Sequence, residues 1–448
     1  MLKRKIDRYI QQYYERSHNA LLITGARQIG KTFSIRQFGK SFKSFIEINF
    51  IDSPDAVKMI DSASDSKDLL LRLSAYSNKP MIKGETLFFF DEIQECPKLV
   101  TAIKFLVEEG SYRYIISGSL LGVELKDLRS EPVGYLGIKE MYPLDFEEFL
   151  TCVGINDDVL AHIRNAWENK SKVDDFVHKK LIELFRLYLI VGGMPAAVNA
   201  YLESNNLQNV IATQRDILTL YKKDISKYDP EDKLYIEEIF NLIPQELNAK
   251  NKRFILKKLN ENIKFSKYEN SFIWLKNAGV ALPAYNVEEP KVPLILSRSR
   301  NLFKLFQNDL GILACQYTGN IQLRILSGDK DINFGSIYEN AVAQELTANG
   351  FSPCYYNNKR RGGIDFIIEI NGEVLPIEVK SGKDYEQHRA LSNILDCTEY
   401  RIPQALVLSN DNLKVAGKII YAPIYMTMFL KNDEITTTNY SIDLQGLI

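Results

Sequence analysis

Leu21–Thr32 reads LLITGARQIGKT. Its first four residues, Leu21, Leu22, Ile23 and Thr24, are apolar or β-branched and predict a buried strand. Gly25, Gly30, Lys31 and Thr32 then occupy every fixed position of the phosphate-loop pattern G-x-x-x-x-G-K-[ST], with a helix expected next. Each residue type has a chemical reason. Glycines allow a backbone path that turns several N–H groups inward, and these, with the following helix N-terminus, can hold a polyphosphate. Lys31 would reach the β- and γ-phosphates, and the Thr32 hydroxyl would ligate Mg²⁺. The candidate nucleotide-contacting residues are therefore Gly25, Ala26, Arg27, Gln28, Ile29, Gly30, Lys31, Thr32 and Phe33.

A second anchor lies at Thr86–Glu92, TLFFFDE. Leu87, Phe88, Phe89 and Phe90 form the continuous apolar run of a central parallel strand. Asp91 and Glu92 fall at its carboxyl end, where ligands bind in open α/β sheets. Beside a phosphate loop this reads as a Walker B element, with Asp91 holding Mg²⁺ and Glu92 polarising the attacking water. Tyr112–Ser117 predicts another strand; Ser117 or Ser119 would lie at its end beside the γ-phosphate. Phe45–Phe50 and Gly137–Met141 supply two more strands. Helices are expected over 3–18, from the phosphate loop to about Phe38, and over Asp61–Asn78. The fold class is α/β, with a P-loop NTPase parallel sheet in residues 1–150.

Bulk properties narrow the rest. A chain of 448 residues exceeds one core. Its net charge of −1 creates no global field toward nucleic acid or membrane, so such binding needs a local patch. The five cysteines, Cys96, Cys152, Cys315, Cys354 and Cys397, are scattered without a C-x-x-C pair, which argues against zinc or a disulfide framework. The N-terminus has no apolar signal region, and no apolar run approaches the roughly 20 residues of a membrane helix. A cytoplasmic location with no membrane partner is expected.

The segments GARQIGKT, FFFDEIQ, IISGSLLG and YPLDFEEF (142–149), with the later GGMP (192–195) and YKKDISKY (221–228), resemble an AAA+-type ATPase family of bacteria and archaea. That family carries a C-terminal domain of uncharacterised function. The resemblance implies ATP rather than GTP, and a helical lid at 151–230. Members commonly carry Gly-Arg where this chain has Gly134-Tyr135, which leaves the sensing or trans-acting arginine unassigned; Arg129 stands six residues earlier.

Residues 231–320 read differently. A turn at Ile243-Pro244, helices over Arg253–Asn260 and Tyr268–Ala278, and short strands over Val280–Val287 and Val292–Leu296 resemble a winged helix. Lys250, Lys252, Arg253, Lys257, Lys258, Lys264 and Lys267 surround one acid, Glu261, a patch suited to DNA or RNA phosphates; winged helices also dock proteins.

Residues 321–448 hold the last constellation. GIDFIIEI (363–370) and EVLPIEVK (373–380) flank Asn371-Gly372, the signature of a two-residue hairpin turn. That turn sets Asp365 opposite Glu378, with Lys380 on the same face. Opposed carboxylates need a cation, which either Lys380 or a divalent metal such as Mg²⁺ or Mn²⁺ could supply. The pattern resembles the PD-(D/E)XK nuclease core. By that resemblance Glu339, on a helix over Tyr338–Ala348, joins Asp365 and Glu378 as metal ligands, and Lys380 orients water. The leading expectation is a Mg²⁺-ATPase whose hydrolysis drives conformational change, with nucleic acid as a candidate partner. A nucleotide-gated metal nuclease and a nucleotide-dependent scaffold or protein-docking switch are the alternatives. The oligomeric state is left open.

Overall fold

Strand β1 (Ala20–Thr24) is buried along its whole length, as its unbroken apolar run predicts. Around it stand β2 (Ser44–Asn49), β3 (Thr86–Asp91), β4 (Arg113–Ser117) and β5 (Leu136–Glu140), all parallel, in the order β2-β3-β4-β1-β5. The computed structural model describes residues 2–118, 134–225, 230–249, 254, 265–317, 321–329 and 334–432. Leu87 and Phe89 pack into one apolar cluster and Phe88 and Phe90 into another, which explains why β3 is apolar without alternation. Because β4 lies between β1 and β3, the ends of all three strands open onto the same edge of the sheet.

The second sheet has eight strands. They are β6 (Ala281–Val287), β7 (Arg298–Gln307), β8 (Cys354–Asn358), β9 (Gly362–Ile370), β10 (Glu373–Val379), β11 (Ala405–Ser409), β12 (Lys414–Ala416) and β13 (Ile419–Pro423). Their order is β12-β13-β11-β10-β9-β8-β6-β7, with mixed directions. The helix Phe334–Ala348 is buried over most of its length against this sheet and the helix Asp175–Val191.

Several expectations are corrected. The helix expected over Asp61–Asn78 starts later, as Ser66–Tyr76, capped by the Asp65 carboxylate on the Asp68 amide, and a separate helix, Pro54–Asp61, precedes it. Pro244 makes no turn; it lies inside the helix Pro230–Asn248. A proline there costs about 3 kcal/mol, but Ile236, Ile239, Phe240, Ile243 and Leu247 on the same helix are all buried, and that packing carries the helix through. The strand expected at Val292–Leu296 is a 3₁₀ turn over Leu294–Ser297, and the partner of β6 is β7. The β6–β7 hairpin expected for a wing therefore edges the C-terminal sheet, and the boundary drawn at 320/321 crosses one continuous sheet. Of the helix expected over Arg253–Asn260 only Phe254 is among the described residues, and the side chains of the basic patch of Lys250–Lys267, with Ser119 and Arg129, lie outside them.

No single described helix is long and apolar enough to cross a membrane. One bent pair, Asp175–Val191 with Pro195–Ser204, passes on length and composition, yet much of its apolar surface is packed inside the protein. All five cysteines are free thiols.

Candidate functional site

At the carboxyl edge of the five-stranded sheet the chain leaves β1 through Gly25, at φ +130°, where a Cβ would come within 2.2 Å of the Met141 carbonyl oxygen. Only glycine fits that approach. Gly30, also left-handed, caps the helix Lys31–Gly39. Lys31 Nζ donates to the carbonyls of Gly25 and Ala26, each at 2.8 Å, so the ammonium is curled into its own loop. Burial lowers its pKa to about 8, despite the raising effect of Glu92 and Asp91.

Thr32 Oγ1 lies 3.1 Å from Asp91 Oδ2, which also accepts from Asn49 Nδ2 at 3.3 Å. Asp91 Oδ1 accepts from Ser117 Oγ and from the Glu92 amide. Ser117 is thereby placed at the end of β4 against Asp91. Glu92 adopts a left-handed backbone, φ +58°, and its carboxylate accepts from Gln94. Such a backbone costs about 1–3 kcal/mol in a non-glycine residue and is concentrated at functional sites.

Lys31, Thr32, Asp91 and Glu92 line a cleft of about 1080 Å³ that also includes Arg27, Gln28, Gly30 and Phe33. Its far wall is the helix Pro195–Ser204, through Pro195, Ala196, Asn199 and Glu203. Sequence reasoning noted GGMP but did not assign these residues to the site. The Asp309 carboxylate accepts from the Gly193 amide at 2.6 Å and fixes the turn that aims Pro195 at the loop. Burial pushes the Asp309 carboxyl up to about 6.

Arg4 was also missed. Its guanidinium donates to the Ile29 carbonyl at 2.9 Å, to the Tyr142 carbonyl at 2.7 Å and to Glu148 at 3.1 Å. One arginine thus pins the phosphate loop to the YPLDFEEF segment. The only sequence signal was a basic residue ahead of a helix, which reads as a solvated end. Both members of the Arg4–Glu148 pair are buried, so Arg4→Met should destabilise the protein by about 3–5 kcal/mol, read by urea unfolding. A cost below 1 kcal/mol would mean that the clamp is not needed.

Three further contacts reach the loop from later in the chain. Tyr221 Oη donates to the Arg27 carbonyl at 3.3 Å, Asp224 pairs with Arg27 at 2.6 Å, and Gly279 comes close enough that a Cβ would lie 2.9 Å from the Ala26 amide nitrogen. Tyr135 takes no part: its hydroxyl donates to Glu108 at 2.6 Å, and its ring lies under Lys104.

The C-terminal constellation also assembles, but with an unexpected member. The β9–β10 register is the one the Asn-Gly turn predicts: Glu373 pairs with Ile370 and Ile377 with Phe366. Asp365 Oδ2 accepts from the Val379 amide at 2.9 Å, and Lys380 pairs with Glu378 at 2.8 Å. Burial and the neighbouring Asp365 charge push the Glu378 carboxyl up to about 7. Between Glu339 and Asp365 sits Lys304 of β7, its Nζ 3.1 Å and 3.8 Å from their carboxylates. Among the described residues, no group of three or more His, Cys, Asp or Glu side chains is arranged to hold a metal ion. The metal site expected at Glu339, Asp365 and Glu378 is not formed in this arrangement.

With the loop, Asp91 and the strand order in hand, the comparison with known proteins is specific. Residues 17–150 match the AAA domain family. Residues 182–322 and 334–426 match two families described only as domains of unknown function. No curated protein matches. Among solved structures, the chain is similar to a Walker-type ATPase of Pyrococcus abyssi, at 14% identity and TM-score 0.43, covering 70% of this chain and 96% of that one. It is also similar to the Aeropyrum pernix ORC1 protein in complex with DNA, at 14% identity and TM-score 0.31, covering 73% and 93%. A DNA replication initiation factor follows at 12% identity and TM-score 0.24, covering 59% and 74%. Superpositions this loose carry no functional argument. The stretch that matches the AAA domain, residues 17–150, is the five-stranded parallel sheet with its phosphate loop.

Proposed function

We propose that the AAA domain binds Mg²⁺-ATP in the cleft above β1, β3 and β4 and hydrolyses it. The observation that carries this reading is the convergence of three separate segments: Lys31 and Thr32, with Asp91 and Glu92, line one cleft, and Ser117 backs it through its hydrogen bond to Asp91. Loop amides from Gly25 to Lys31 grip the phosphates. Lys31 leaves its own carbonyls for the β- and γ-oxygens. The Thr32 hydroxyl and Asp91 carboxylate are hard oxygen donors that fit Mg²⁺, which when bound would neutralise charge on the β- and γ-phosphates. Glu92 orients and deprotonates water, and Ser117 reads the γ-phosphate position through Asp91.

The loop's contacts with Arg4, Tyr221, Asp224 and Gly279 support a conformational output. Any shift of Arg27 or Ala26 on nucleotide binding is felt by the lid helix Leu207–Ile225 and by the residues leading into β6. The test is phosphate release from purified protein with Mg²⁺-ATP, which Asp91→Asn should abolish. Full activity in that variant would remove the assignment.

Binding should also depend on pH in a definite direction. With Lys31 curled into its own loop, burial lowers its pKa to about 8. Bound phosphates favour the ammonium, so binding above that pH must take up a proton. Affinity should therefore be flat below pH 8 and fall toward tenfold per unit above it, levelling near the ordinary lysine value of about 10.4. Calorimetry in buffers of different ionisation heat at pH 9 should show that uptake. No proton linkage at pH 9 would mean that the lysine stays charged throughout.

A further inference from the structure

We infer that the Lys304 ammonium stands where the carboxylates of the C-terminal domain would otherwise need a divalent cation, making this centre metal-independent and unable to cut nucleic acid. The argument begins with β7. Lys304 pairs across the hairpin with Ala284, and its flanking residues Phe303 and Leu305 are both buried. A lysine between two apolar neighbours on a strand would normally point to water. Lys304 is instead only 5% exposed, and its Nζ lies 5.3 Å and 5.7 Å from the ring centroids of Tyr355 and Phe366. Aromatic faces stabilise an ammonium held there, and a buried ammonium requires carboxylate partners. Glu339 and the two oxygens that Asp365 presents, its carboxylate and its carbonyl at 3.4 Å, are those partners.

One oxygen of each carboxylate is already engaged, and a second Asp365 oxygen, Oδ1, faces Lys304 at 3.8 Å. Glu339 Oε2 holds Lys304, Asp365 Oδ2 holds the Val379 amide, and Glu378 Oε1 holds Lys380. Glu378 Oε2 is buried and has no hydrogen-bond partner among the described residues. Even an ion that keeps several waters needs one or two carboxylates free to face it, and here each carboxylate is already held by a cation or an amide. A second cation brought against a fixed ammonium would also be repelled. The three carboxylates thus have two internal counter-ions, one on β7 and one at the end of β10. The sequence pattern E-x-K survives while its metal chemistry is replaced by an amine from a distant strand.

The test uses full-length, nucleotide-free protein, so that no nucleotide-bound ion contributes, and counts bound Mn²⁺ by the loss of free-ion signal in electron paramagnetic resonance. Wild type and Asp365→Asn should give the same curve. Lys304→Met should gain one bound ion that the double variant Lys304→Met/Asp365→Asn loses. Wild-type protein incubated with single-stranded DNA or RNA and Mn²⁺ should leave both intact. An ion bound by wild type and lost in Asp365→Asn, or cleavage that Asp365→Asn removes, overturns the inference. A folded Lys304→Met protein that gains no ion overturns it too, because the freed carboxylates would not be a cation site. If Lys304→Met does not fold, the comparison of wild type with Asp365→Asn decides alone.

Discussion

Lys31→Ala should lower the affinity for Mg²⁺-ATP by about 10²- to 10⁴-fold while leaving the fold intact. The size follows from what the ammonium can do. Curled into its own loop it makes two hydrogen bonds to carbonyls; on a triphosphate it would make charge-assisted bonds to β- and γ-oxygens, each contributing about 1.5–3 kcal/mol. Two such bonds correspond to that range of affinity. The fold should tolerate the loss because burial already disfavours the charged form here, as the lowered pKa shows. Removing Lys31 therefore deletes an ammonium whose burial is costly. The measurement is a fluorescent-nucleotide titration beside a thermal melt. Unchanged affinity with an unchanged melt would leave the phosphate loop without a phosphate.

How far the sequence discloses this molecule depends on how local each feature is. The phosphate loop, β3 with Asp91 and the Asn371-Gly372 hairpin are written in consecutive residues, and each forms as the pattern predicts. Pro244 misled because a local rule about proline was overruled by five buried apolar residues on the same helix. β7 was placed too early because Arg298, Arg300 and Lys304 break up its apolar pattern. Lys304 and Arg4 are the instructive cases. Each reads alone as a solvated cation. Each is buried because its partners arrive from far away: Glu339 is 35 residues from Lys304, and Ile29 and Tyr142 are 25 and 138 residues from Arg4. Asn199 and Glu203 escape for the same reason, since only the turn held by Asp309 brings their helix over the loop.

Glu92→Gln should reduce ATP turnover by about 10²- to 10⁴-fold, the range for loss of a general base, with ATP affinity changed only a few-fold. Glutamine keeps the shape of the side chain and can still bond Gln94, so the loss isolates the carboxylate's charge and basicity. The backbone makes a second variant informative. Glu92 sits at φ +58°, a conformation that glycine adopts without penalty and that costs other residues about 1–2 kcal/mol. Glu92→Gly should therefore be as inactive as Glu92→Gln but more stable than wild type, by up to about 1 kcal/mol after glycine's extra unfolded-state entropy is deducted. A chain that keeps a strained glutamate where glycine would relax the turn is using that carboxylate. Single-turnover phosphate release and urea unfolding on both variants separate the two effects. Wild-type turnover in Glu92→Gln would move the base elsewhere. A Glu92→Gly protein that is both inactive and less stable would show that the left-handed turn carries no strain, and that part of the argument would fall.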